Sequence, residues 1–139
     1  MKLNMQAQKE IPDQRKRTLA FDAIETGDVE IYCYGDIMDS YWFYDPVHPP
    51  LGYVTQDAMK EALDQAAGKS VLFRIHSSGG DMMAASTIRS MLMSYPGKVT
   101  CQIDGLCASA ATYIATAGSK VQMQDSAFFM IHDPWTITI

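Results

Sequence analysis

No CxxC pair, no histidine at zinc spacing and no even set of cysteines occurs in these 139 residues, which contain only Cys33, Cys101 and Cys107. That argues against a disulfide-stapled secreted scaffold or a zinc module, and makes a reducing cytoplasm the expected location. A long apolar run is missing too. The best stretch, 106–117, is interrupted by Ser109, Thr112 and Thr116 and falls short of the ~20 residues that a membrane-spanning helix needs. Residues 1–6 turn polar at once, without the apolar stretch of a secretory signal. Positive charge is scarce and crowded. The net charge is −5, yet Lys2, Lys9, Arg15, Lys16 and Arg17 face only Glu10 and Asp13 within residues 1–17, leaving 6 basic and 14 acidic groups elsewhere. A body of that sign disfavours nucleic-acid binding. Residues 1–17 read as a polar basic arm ahead of one domain, 18–139.

The hydrophobic content, 47%, supplies a core for that domain. Val29 to Gly35 alternates in part and is β-branched and aromatic, which predicts a strand. From Asp39 to Tyr53 the aromatics Tyr41, Trp42, Phe43, Tyr44 and Tyr53 surround Pro46, Pro49 and Pro50. This composition predicts a loop, either a lid over the core or the wall of a groove or subunit contact. Thr55 is an expected N-cap for a helix through Ala66, with Gly68 as its stop. Ser70 to Ile75 predicts a buried strand, and a second helix should run from near Asp81 to Pro96-Gly97. Val99, Cys101 and Ile103 alternate as a further strand that Gly105 should break, with Asp104 in turn chemistry. Ser109 to Ala117 predicts a small-residue helix. Strands at Lys120–Gln124 and Ala127–Ile131 should follow, separated by a turn at Asp125-Ser126. Alternation of this kind predicts an α/β domain with a mainly parallel sheet.

Three features fall at predicted strand exits, where open α/β sheets place their ligands: Gly79-Gly80, Ser109 and His132. A serine hydroxyl needs a neighbouring imidazole to take its proton before it can attack a carbonyl. Ser109 would open a helix, where free N–H groups stabilise developing negative charge, and His132 would supply the base. The Gly80 and Ala110 amides are candidates for an oxyanion hole. His76 reads as a polar strand-end residue or a second titrating group near the site, and His48 as a surface residue. No GxSxG occurs around Ser109, which argues against an α/β-hydrolase elbow.

Ser77-Ser78-Gly79-Gly80-Asp81, the run from Asp104 to Ala111, and Met130-Ile131-His132-Asp133-Pro134 resemble, in order and separation, the three signatures of the ClpP serine peptidase family. The resemblance spans roughly Val29 to Trp135 and is closest to the ClpP-like head maturation proteases of tailed phages. It implies the ClpP/crotonase fold of repeated ββα units, with Ser109 as nucleophile, His132 as general base and then acid, and Gly80 and Ala110 at the oxyanion. It also implies an extended peptide substrate bound near Gly79, Asp81, Met82 and Trp135, no cofactor or metal, and ring-forming homo-oligomers. ClpP proper works with an ATPase partner, whereas the phage enzymes need none.

Two departures stand out. The proline that usually precedes the glycine pair is replaced by Ser78, and the chain ends seven residues after His132. In the family a later acidic residue orients the histidine, and a handle region mediates ring pairing. Asp133, expected on a strand, should point away from His132. The expectations are therefore a head domain lacking the handle, no assigned third triad member, and low peptidase activity for these residues alone. Two alternatives remain: a non-catalytic peptide-binding or assembly subunit, and a crotonase-like acyl-CoA enzyme in which glycine amides polarise a thioester.

Overall fold

A computed structural model of the protein describes residues 21–23 and 29–135; the basic arm 1–17 lies outside them. In chain order the elements are β1 (Phe21–Ala23), β2 (Val29–Tyr34), β3 (Asp36–Ile37), a 3-10 turn (Ser40–Trp42), β4 (Tyr53–Val54), α1 (Gln56–Ala66) and β5 (Val71–Ser77). There follow α2 (Met82–Ser94), β6 (Val99–Ala108), α3 (Ala110–Ala115), β7 (Lys120–Met123) and β8 (Phe128–Met130).

Local chemistry explains the helix ends. The Thr55 hydroxyl accepts the Ala58 N–H at 3.2 Å and donates to the Pro46 carbonyl, so it caps α1 and ties down the preceding loop. Such a cap contributes about 1 kcal/mol. Helix α1 turns off one residue before the expected glycine, because Ala67 itself adopts the left-handed conformation. The Asp81 carboxylate accepts the Ala84 N–H at 2.8 Å and starts α2.

Among the described residues the main sheet runs β1-β2-β5-β6-β7, with β1 antiparallel and the others parallel. Strand β6 serves two partners, β7 along Thr100–Ile103 and β8 along Leu106–Ala108. A small parallel sheet, β3-β4, meets the main chain of Gly80 through an isolated bridge from Ile37. Alternate residues divide the main sheet into two faces. Val29, Ile31 and Cys33, Val71, Phe73 and Ile75, and Val99, Cys101 and Ile103 are all buried, clustered with Leu63, Ile88, Leu92 and Ile114 from the helices. The intervening positions carry Glu30, Tyr32 and Tyr34, Arg74 and His76, and Asp104.

That second face corrects two expectations. Gly105 does not break β6, which continues to Ala108, and Asp104 takes no part in a turn. Instead the Arg74 guanidinium holds Asp104 through two 2.7 Å hydrogen bonds and reaches Glu30 at 3.4 Å. Tyr34 donates to Asp104 and Tyr32 to Glu30, both at 2.5 Å. The hydrogen bonds that Arg74 donates to Asp104 hold its ionisation well above its ordinary range, and burial, then the carboxylate partners, push both tyrosines up. Pairing accounts for the strand: each carboxylate is compensated on the sheet and needs no turn to reach water.

The aromatic segment is also corrected. Tyr41, Trp42 and Tyr44 point into solvent, so they form no lid over the core, and β4 claims Tyr53. The last helix is shorter than expected, Ala110–Ala115, with Thr116 to Gly118 finishing in tight turns. Strand β8 stops at Met130, which leaves His132 and Asp133 off the strand.

Candidate active site

The register of β5 against β6 shifts just before the site. Ile75 pairs with Ile103 but Ser77 pairs with Cys107, so β6 takes four steps where β5 takes two. Extra residues in one strand bend it and re-aim the chain beyond the bend. Here the chain emerges at Ser109, with φ 53° and ψ −126°, a conformation that L-residues rarely adopt. The Ser109 N–H donates to the Met130 carbonyl at 3.0 Å, which fastens the turn to the end of β8 two residues before His132. Parallel pairing of Ala108 with Met130 thus brings two residues far apart in sequence to one place.

Gly79 lies against the same turn. A Cβ there would come within 2.7–2.9 Å of the Ala108 carbonyl, the Ser109 Cβ and the Ala110 nitrogen, so only glycine permits the approach. Ile37 occupies one edge of the glycine segment: its N–H donates to Gly79, and its carbonyl accepts from Asp81, both at 2.8 Å. The Gly80 N–H points to the other edge and, like the Ala110 N–H at the start of α3, has no protein acceptor among the described residues.

Gly79, Gly80, Asp81, Met82, Ser109, His132 and Trp135 line one cleft of about 590 Å³. Ala110 lies behind it with its methyl buried and only its backbone relevant. Composition did not point to Asp36, Met38, Thr112 or Tyr113, which also line the cleft, together with Pro134 of the third signature. Thr112 and Tyr113 follow Ser109 by a helical turn, a spacing that could have revealed them. None of Tyr41, Trp42, Phe43, Tyr44 or Tyr53 lines it, which removes the groove-wall reading. The Asp81 carboxylate is engaged in capping α2.

Ser109 and His132 face the cleft without a direct hydrogen bond between them; such bonds are often loose before substrate arrives. His132 Nδ1 lies 2.7 Å from the Asp133 carbonyl oxygen. A carbonyl only accepts, so the proton is assigned to Nδ1 and Nε2 keeps a free lone pair. Asp133 therefore contributes its backbone, not its carboxylate. Asp104, sequestered by Arg74 and Tyr34, is not available to orient the ring, and Asp125 stays in its turn. His76 stands outside the cleft, accepting the Leu106 N–H at Nδ1. His48 pairs at the surface with Asp45, whose carboxyl this hydrogen bond holds below its usual range.

Among the described residues no group of three or more His, Cys, Asp or Glu side chains is disposed to hold a metal ion, and no helix is long and apolar enough to cross a membrane. The arrangement can present a hydroxyl, an imidazole and two free amides to one extended ligand.

The fold resembles that of a Pseudomonas aeruginosa protein at 15% identity and TM-score 0.58, matching 80% of this chain and 54% of that one. Similar likenesses are found with enoyl-CoA hydratases. One, from Polaromonas sp. JS666, has 15% identity and TM-score 0.57 over 80% of this chain and 49% of its own. An enoyl-CoA hydratase/isomerase from Xanthobacter autotrophicus Py2 has 17% identity and TM-score 0.57, over 81% and 48% respectively. This chain spans about half the length of these structures, and at such identities they establish the ClpP/crotonase-like fold alone. No curated protein matches the chain. Residues 55–138, well over half of it and including the glycine pair, Ser109 and His132, match the Clp protease family, and the chain belongs to that family.

Proposed function

We propose that this chain is the head domain, residues 18–139 behind a basic arm at 1–17, of a serine endopeptidase of the ClpP type. The observation that carries the reading is the strained Ser109, fastened to β8 and sharing a cleft with Gly80 and His132. Ser109 Oγ attacks the scissile carbonyl while His132 Nε2 takes its proton. The Gly80 and Ala110 amides meet the resulting oxyanion, each contributing about 3 kcal/mol to the transition state. Nε2 then returns the proton to the leaving amine as the C–N bond breaks, and water repeats the sequence on the acyl-enzyme. Because Ile37 already occupies one edge of the glycine segment, substrate adds as a strand along the other, between Gly80 and Trp135. Met82 and the backbone around Gly79 and Asp81 form the cleft walls.

The biological setting that fits the closest motif resemblance is capsid or scaffold processing for a phage or prophage, in the host cytoplasm or prohead. The subunits would be arranged in homo-oligomeric rings, with no obligatory ATPase. A fluorophosphonate probe tests the chemistry: the Ser109 oxygen–phosphorus bond forms, fluoride leaves and His132 takes the proton. Mass spectrometry is expected to place the adduct on Ser109, with none in Ser109→Ala. Labelling elsewhere, or none at all, would overturn the reading, and binding of a CoA thioester without labelling would favour acyl-CoA chemistry.

A further inference from the structure

We propose that His76 is a positioning residue: by accepting the Leu106 N–H it pins the bulge in β6 that carries Ser109, and a proton on its Nδ1 unpins it. The inference rests on the reading of Ser109 as nucleophile.

The observations lie on the sheet face that the nucleophile chemistry does not use. The extra residues of β6 fall between Ile103 and Cys107, that is, at Asp104, Gly105 and Leu106. Bulged residues lose their ladder partners and need others. Asp104 has Arg74 and Tyr34. Gly105 has no side chain because a Cβ would meet His76 Nδ1 at 2.6 Å. The Leu106 N–H has His76 Nδ1, at 3.0 Å. Three residues later the chain reaches Ser109 in its strained conformation, which persists only while its surroundings over-determine it.

An imidazole nitrogen accepts only while it lacks a proton. Protonation of Nδ1 would set two N–H groups against each other and free the bulge on its open side. His76 is solvent-exposed, so the proton has access. The groups facing it are few. From β2, the Tyr34 ring stands edge-on at 5.6 Å with its hydroxyl committed to Asp104, and Glu30 and Tyr32 lie farther along the same face. Arg74 precedes it on β5, and from β6 come Asp104 and the Leu106 amide. Beyond the exit of β5, Asp36 on β3 is bound by Ser78. The carboxylates Asp104 and Glu30 share the Arg74 charge.

The test is the pH dependence of fluorophosphonate labelling in the full chain. Two histidines must then be unprotonated, His132 as base and His76 as acceptor. The acidic limb should be steeper than first order, with the His76-protonated form reacting about tenfold more slowly. In His76→Asn the side-chain oxygen can take the place of Nδ1 and does not titrate. Labelling at pH 8 is retained and the limb becomes first order. His76→Leu, with no acceptor, should label about tenfold more slowly at every pH. Should the leucine variant not fold, nuclear magnetic resonance of His132→Gln protein decides: the Leu106 amide signal should move with the titration of His76. Equal first-order limbs in wild type and His76→Asn, or a Leu106 signal indifferent to His76, overturn the inference while leaving Ser109 labelled. Absence of Ser109 labelling at pH 8 in the wild type instead removes the nucleophile reading beneath it.

Discussion

Arg74 and Asp104 lie on adjacent parallel strands, and the guanidinium meets the carboxylate with two parallel hydrogen bonds of 2.7 Å. The pair is largely shielded, with 14% and 12% of the side chains exposed, and it ties the first residue of the bulge to β5. Bidentate geometry of this kind orients as well as attracts.

Removing one partner leaves the other charge poorly compensated. Asp104→Ala is expected to cost about 3 kcal/mol of stability, read as a lower urea midpoint with an unchanged slope. A loss below about 0.5 kcal/mol, the range of exposed pairs, would mean that the pair is not structural.

Ser109 should be a site where stability and reactivity oppose each other. Ser109→Gly relieves the positive φ and is expected to raise stability by about 1 kcal/mol, whereas Ser109→Ala keeps the strain and gains nothing comparable. Thermal unfolding of the two variants separates them, and equal midpoints would contradict a strained backbone.

Gly79→Ala drives a methyl into the Ala108 carbonyl and the Ala110 nitrogen at a backbone angle that alanine resists. The expected cost is about 3 kcal/mol, together with at least tenfold slower labelling of Ser109. Wild-type labelling in this variant would show that the two turns are not in register.

The three thiols should be inert at pH 8. Burial pushes Cys33, Cys101 and Cys107 each up to about 12, well above the ordinary thiol value of about 8.5. A disulfide-exchange reagent should titrate three thiols only after denaturation. Once pH passes the unfolded thiol value, the unfolded chain holds fewer protons than the folded one. Stability therefore falls as pH rises from about 9 towards 12. The upward shifts of Tyr32 and Tyr34 add to this at the alkaline end. Urea midpoints unchanged between pH 8 and 10.5 would contradict buried, protonated thiols.

Much of this architecture was legible because it depends on near neighbours. Thr55 and Asp81 cap helices through N–H groups three residues on, and the apolar run Ser70 to Ile75 marks the strand that becomes β5. Residues around Gly79, Ser109 and His132 could be singled out because glycine, a small-residue helix start and a strand end leave marks within a few positions. Reading Gly105 as a break and Asp104 as a turn residue followed from the same local logic and failed. Composition around Asp104 contains no trace of Arg74, 30 residues earlier, or of Tyr34, 70 residues earlier.

The amino-acid order alone therefore determined the alternation of strands and helices, their caps, and the motifs that mark the family. The fold decided the rest: which partner compensates Asp104, that β6 continues through Gly105 with a bulge, and that Ser109 is strained and tied to Met130. It also decided that Tyr41, Trp42 and Tyr44 face water. The reason is physical. Caps and periodicity are set by contacts within one turn or two strand steps, whereas strand register, charge compensation and backbone strain are settled only when segments distant in sequence pair and no other arrangement satisfies their buried polar groups.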